Sequence, residues 1–429
     1  MWQRPLIVLC LLSTLVVGRT QQAPRAPPIV FSSDGAWCWF QDPRAVHVRG
    51  LHDRVYAAWV TSKGALQVGA WDRLTGRIET TTLKDHWEID DHDSPSFLVL
   101  PDRRLMVFYT RHNRIGLYTR TTAEPEDIRS WGPEIVIAGT QKITYSHPVY
   151  LADEKRMYVF WRGESWKPTF STSLDGSTWT TPRVLVEEED SGTDIARPYF
   201  KIASDGKSEI HITFTDGHPR DDRLNSIHYL EYRSGFFYKA NGTRIGSIDT
   251  LPVRQRDCDL VYDARRSRVR AWVWDIALDA SGNPVIAYAR FPKESAHYYH
   301  YARWLGDRWL DTALVAAGGW FPQTPAGTKE REPHYSGGIA LDHDDPSIVY
   351  LSRQVKGMFE IERWATPDRG MTWTSKPITR DSTEPNVRPV LARNVGASGE
   401  VLLWMRGDYV YWTDYHTRIM LLEASLDAR

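Results

Sequence analysis

Apolar residues recur along this chain in short runs of about strand length, each broken by a polar turn, and no stretch sustains a helical face. Seven times an apolar run leads into a turn and then an aromatic-rich run that often ends in Arg. The turns are 50–53, 101–104, 152–155, 204–207, 280–283, 342–345 and 395–399. The runs that follow are 54–60, 105–111, 156–162, 209–216, 284–290, 347–353 and 400–406. A hairpin of this kind cannot bury both faces alone, so repeated hairpins must stack on one another. The pattern predicts an all-β chain, a seven-bladed β-propeller, with repeats roughly 40 to 75 residues apart and a central depression for a ligand.

The ends carry different signals. Met1-Trp2-Gln3-Arg4 is positively charged and Pro5–Val17 is an apolar run too short to span a membrane comfortably; Gly18 and small or polar residues follow. Residues 1–22 therefore read as a signal peptide, 23–28 as a linker, 29–422 as the propeller and 423–429 as a tail, with secretion to an extracellular or periplasmic space. Ring closure is expected to pair 29–32 with 409–413 or 419–422, which would leave no free sheet edge. Ser173–Trp179 and Thr366–Trp373 read as Asp-box turns, in which Asp and Gly hold the turn and Trp plugs between strands.

Composition narrows the partners. A net charge of −1 removes any general electrostatic pull toward nucleic acid or an anionic membrane. With 19 Trp and 20 Tyr, most aromatic rings must fill blade interfaces, but some are available to stack on sugar rings. Beyond the signal peptide the cysteines are Cys38 and Cys258, which an oxidising compartment would allow to pair. Asn241-Gly242-Thr243 is a glycosylation sequon. No nucleophile elbow, phosphate loop or dinucleotide fingerprint is present.

The candidate chemistry gathers at strand ends. Asp90-Asp91-His92-Asp93 precedes one strand of a hairpin, and its partner ends in Arg111-His112-Asn113, so His92 and His112 should leave the same edge. One histidine at a strand end is ordinarily solvated or capping. Two on one edge, flanked by carboxylates and Asn113, point to a site. Tyr145-Ser146-His147-Pro148 opens the next inner strand, whose partner ends at Arg162. Arg197-Pro198-Tyr199 opens the one after, whose partner runs into His218-Pro219-Arg220. A lone Arg at a strand end is usually solvated, yet Arg162, Arg197 and Arg220 from consecutive blades would share one axial pocket and suit a carboxylate. His218, Cys258, His297 and His300 offer zinc-type ligands without tight motif spacing, which favours a structural ion (zinc or calcium) if there is one. Asp275, Glu332 and His334 lie within reach of the pocket in principle, and Asp275 equally suits a role on backbone donors.

The strings Asp34–Arg44, Asp90–Pro95, Tyr145–Pro148, Arg197–Lys201 and Thr215–Arg220 resemble the secreted BNR-4-type propellers, which include ulvan lyases and the rhamnose–glucuronate lyases and rhamnosidases of plant gums. The resemblance spans nearly the whole chain after the signal peptide. It implies a polysaccharide lyase that cleaves a rhamnose-α-1,4-glucuronate linkage in an acidic polysaccharide by β-elimination. It assigns catalysis to His92 and His112, with Tyr199 as the tyrosine (Tyr158 or Tyr145 as second choices) and Arg220 or Arg162 on the carboxylate. Arg197, His147 and Asn113 complete the expected substrate contacts, and a structural metal is expected at His218, Cys258 and His297, with no organic cofactor. Two other readings share the fold: a hydrolase, rhamnosidase-like or sialidase-like, and a glycan-binding propeller without catalysis. For the sialidase version, Asp42-Pro43-Arg44 is only superficially like the expected opening motif.

Overall fold

The computed structural model describes residues 27–187, 197–293, 295–319, 331–333, 337–396 and 399–424. The expected signal peptide, most of the linker, the end of the tail and His334 lie outside these residues. Strands dominate, and the α-helix Ala264–Ser267 is a single turn. Each of the seven hairpins read from the sequence is present as an antiparallel pair, with second strands beginning at Asp53, Leu105, Arg156, Glu209, Pro284, Ile348 and Glu400.

The sheets are arranged as an all-β propeller. Four-stranded sheets are built on Ala45–Arg49, Arg270–Leu278, Ile339–Leu341 and Asn386–Leu391. A six-stranded sheet starts at Phe200–Ser204, and a seven-stranded sheet runs from Ser96–Val99 to Arg183–Val184 through the 17-residue strand Ile135–Leu151. The last sheet is closed by Ile29–Ser32, whose Ile29 and Val30 oppose Leu421 and Met420, the second of the two expected pairings.

Alternation along the strands explains the stacking. In Asp53–Val60, Val55, Ala57 and Trp59 pack with the last sheet, whereas Tyr56, Ala58 and Val60 pack with the hairpin Ser96–Thr110. In Leu105–Thr110, Leu105, Val107 and Tyr109 face back to that first sheet, and Met106 and Phe108 face on to Met157, Val159 and Trp161. Both faces of each sheet are thus apolar, so a sheet is covered only when it has a neighbour on each side. The Asp-box turns also form: Asp175 accepts the Thr178 N–H at 2.7 Å and Asp368 that of Thr372 at 2.7 Å. Their plugs, Trp179 and Trp373, meet Phe108 and Tyr301 edge-on.

Sequence reading missed what fills the axis. Residues 36–44 touch the inner strands of several sheets: the Trp37 indole donates to the Arg388 carbonyl at 3.0 Å, Trp39 stacks on Trp274 at 4.3 Å, and the Asp42 N–H donates to the Ser146 carbonyl at 3.3 Å. Lys201 donates to both the Trp39 carbonyl and the Asp42 carboxylate. Cys38 belongs to this axial segment, and Cys258 is buried in another core cluster; both thiols are free, so the allowed disulfide is not formed. Asp275 accepts the N–H groups of Ile276 and Leu341 at 2.9 and 3.0 Å, the backbone role that its strand suggested.

Candidate active site

The loop before Ser96 is a single 3-10 turn, Asp91–Asp93, capped by Asp90, whose carboxylate accepts the His92 N–H at 3.0 Å. The same carboxylate takes both imidazoles. Its Oδ1 lies 2.6 Å from His92 Nδ1 and its Oδ2 lies 2.8 Å from His112 Nδ1. The rings stack with centroids 3.9 Å apart and planes 10° from parallel. With each Nδ1 spent on Asp90, each ring has Nε2 left for a ligand. Trp412 closes one side, edge-on to His92 at 5.7 Å and to His112 at 6.0 Å.

Two imidazolium rings at this separation would repel strongly, so the pair holds one charge more readily than two. Burial works against a charge on His92, but Cys38, Tyr145, Asp90 and Asp91 outweigh it and raise its pKa well above the ordinary imidazole value. Burial and the charge on His92 push His112 the other way, down to about 4. Asp90 is held below the usual carboxylate range, because the two imidazoles overcome its burial. Two chemically identical side chains thus carry opposite protonation states near neutral pH.

The tyrosine that reaches the pair is Tyr145, with its ring 5.7 Å from His92. Tyr199 stands one ring further on, 6.0 Å from Tyr145 and packed against Phe40, Trp272 and His218. Tyr158 contacts Phe160, Phe170 and Tyr232 in a separate core cluster. Burial raises the Tyr145 pKa well above the ordinary phenol value, so its hydroxyl keeps its proton. Arg162 bridges the two tyrosines, 4.8 Å from each ring, and its buried Nε has no hydrogen-bond partner. Arg197 lies 4.8 Å from the Trp166 ring, on which Arg162 also rests at 4.9 Å. Arg220 is exposed beside His218, and burial together with Arg220, Arg162 and Arg197 keeps that imidazole neutral. Asn113 presents a buried Oδ1 without a partner.

Two expectations change. His147 does not join the histidine pair; it is 2 % exposed, its ring is 5.0 Å from Phe200, and its charged neighbours are Lys201, Asp42, Arg393 and Arg44. Nor do His218, Cys258 and His297 converge as a metal site. His218 packs on Tyr199 and Trp272, the Cys258 thiol lies 3.6 Å from the Arg254 carbonyl, and His297 Nδ1 lies 2.5 Å from the Gly319 carbonyl. Among the described residues, three donors of metal-binding type come within 4.8 Å of one another only at Cys38–Asp91–His92 and at Asp90–His92–His112. Both sets include His92, whose Nδ1 is engaged by Asp90, so the clustering is that of a carboxylate-held imidazole pair.

Residues 54–317 match the profile of the BNR repeat-containing family. No curated protein matches the sequence significantly. Among solved structures, the chain is similar to a PL25 ulvan lyase bound to -[GlcA(1-4)Rha3S]-, with a TM-score of 0.69 at 16 % identity over 92 % of this chain and 96 % of that one. The polysaccharide lyase Uly1 gives 0.57 at 10 % over 94 % and 99 %. The BP39L lectin from Burkholderia pseudomallei gives 0.53 at 11 % over 89 % and 94 %. At these identities the likeness is one of fold, shared by lyases and a lectin alike.

Proposed function

The chain belongs to the BNR repeat-containing family, and on that premise we propose that it is a secreted polysaccharide lyase cleaving a rhamnose-α-1,4-glucuronate bond of ulvan or a similar acidic glycan. One observation carries the reading: two stacked imidazoles held by one carboxylate, beside a buried arginine with an unpartnered Nε. That is the equipment β-elimination needs. The C5 proton of a uronate is too weakly acidic to leave until the carboxylate charge is neutralised, and Arg162 supplies that neutralisation where the enolate-like charge develops. His112, neutral, with its Nδ1–H donated to Asp90, takes the C5 proton at Nε2. As the C4–O4 bond breaks and the C4–C5 double bond forms, His92 or Tyr145 gives a proton to the departing oxygen, which becomes the anomeric hydroxyl of rhamnose. Arg197, Arg220 and Asn113 serve the flanking substrate groups. Fold likeness to the two lyases is consistent with this chemistry, although the lectin has the same architecture.

The ring is read as seven-bladed. In support, Ile135–Leu151 pairs with Arg114–Thr121 through residues 135–143 and with Arg156–Arg162 through 144–151, so one long strand serves two four-stranded units.

Incubation with ulvan or gum arabic tests the reaction. Growth of the ultraviolet absorbance of an unsaturated uronate is the expected result. Reducing ends without that absorbance would make the protein a hydrolase, and binding without either would make it a lectin. His92→Gln and His112→Gln are each expected to lower kcat by about a hundredfold or more, with the thermal midpoint nearly unchanged.

A further inference from the structure

Beside His92, charges from three distant stretches meet: Asp91, Glu332 and Arg388. Arg388 is fully buried on the strand Asn386–Leu391 and holds a left-handed φ of 56°. Non-glycine residues adopt that conformation at a cost and keep it where surrounding contacts demand it. Its guanidinium donates to Glu332 at 2.7 Å, to the Tyr409 hydroxyl at 3.0 Å and to the Trp37 carbonyl at 3.2 Å. The Tyr409 hydroxyl donates to Asp91 Oδ2 at 2.5 Å, and Asp91 Oδ1 lies 3.0 Å from His92 Nδ1 as a contact of charges rather than a hydrogen bond. Backbone bonds tie the same parts together: the Asp91 N–H donates to the Trp412 carbonyl at 2.9 Å and the Glu332 N–H to that of Val410 at 3.0 Å.

We propose that Tyr409, Arg388 and Glu332 are positioning residues that act on His92 through the charge of Asp91, setting how tightly the ring holds its proton. The proposal rests on the reading of His92 as a proton-bearing group of the lyase. His92 is faced by Asp90, Asp91, Cys38, Tyr145 and His112, with Trp412 on its edge. Of these, Asp91 is the link to that network. Arg388 also lies 3.7 Å from Asp91 Oδ2, and Glu332, closer to the guanidinium, shares its charge and so weakens its hold on Asp91. Tyr409 tempers that carboxylate by donating to it. The two partners therefore pull in opposite senses. Removing the Glu332 charge leaves Arg388 to draw on Asp91, and His92 holds its proton less tightly. Removing the Tyr409 hydroxyl strengthens Asp91, and His92 holds it more tightly.

The test is an NMR titration of His92 in the full-length, histidine-labelled protein, with its signal assigned by its loss in His92→Gln. Relative to wild type, Tyr409→Phe should raise the titration point and Glu332→Gln should lower it, each by about half a pH unit or more. The alkaline limb of kcat should follow in the same directions, with KM changed less than about twofold. A purely structural role would lower the thermal midpoint without these opposed shifts. An unmoved His92 in either folded variant, or two shifts of the same sign, overturns the proposal. The NMR readout does not depend on turnover: opposed shifts in a protein that forms no unsaturated product would uphold the network and remove the lyase reading.

Discussion

At the scale of single residues, the division of labour between His92 and His112 comes from environment rather than from chemistry. Asp90 holds both rings, but Asp91 adds its charge on the His92 side, and one imidazolium suppresses a second in the stacked neighbour. In the proposed mechanism His112 works neutral and His92 protonated. Activity should therefore fall on the acid side as His112 gains a proton, near pH 4 before substrate is bound, and on the alkaline side only as His92 loses one, well above the ordinary imidazole range. A profile of kcat/KM against pH checks this, since a single descending limb near the ordinary imidazole value would contradict it. The two histidines were legible in the sequence because a hairpin fixes which ends meet. The choice of Tyr145 over Tyr199 and Tyr158 was not. Tyr145 enters its strand at a left-handed φ of 68°, beside an irregular register between Phe160 and Arg162, and a strand's simple alternation does not foresee such a turn of the chain. Arg388 and Tyr409, and the partners that Glu332 meets, were beyond reach for a different reason. They lie more than two hundred residues from His92, and no local pattern encodes their meeting.

At the scale of elements, the turns are what the sequence displayed most openly, and one of them bears a further prediction. Asp342 closes the turn before Ile348–Val355 by accepting the Asp344 and Asp345 N–H groups at 2.9 and 3.4 Å. Burial pushes its pKa up to about 7. Unfolded, the same side chain titrates near about 4, so the folded chain binds the extra proton between those values. Its contribution to stability is complete below about pH 4 and is lost as pH rises through about 7. Asp342→Asn keeps an acceptor for the turn and removes the charge. Thermal midpoints measured from pH 5 to pH 8 should then fall less with rising pH in the variant than in the wild type, and equal slopes would refute the assignment. The axial segment 36–44 was visible as an aromatic string, but its destination was not, because an irregular segment has no period from which to infer a face.

For the whole molecule, closure and function are joined. Phe31, on the strand that closes the ring, meets Trp59 edge-on at 5.5 Å and is 3 % exposed. Phe31→Ala is expected to cost about 3 kcal/mol or more of stability. Because Asp91 touches Tyr409 across that seam, the proposed lyase activity and tryptophan fluorescence should be lost at one shared urea midpoint, lowered together in the variant. Two separated midpoints would show that the ring can open without disturbing the histidines.

The long reach of those contacts also bears on when the protein begins to work. Residues 36–44 leave the ribosome well before the groups that hold them, Arg388 and Met405 among them, which lie 351 and 368 residues further along the chain from Trp37. A chain made only as far as both histidines has neither Tyr409 nor Arg388, so the surroundings of His92 are completed only when those later residues join them.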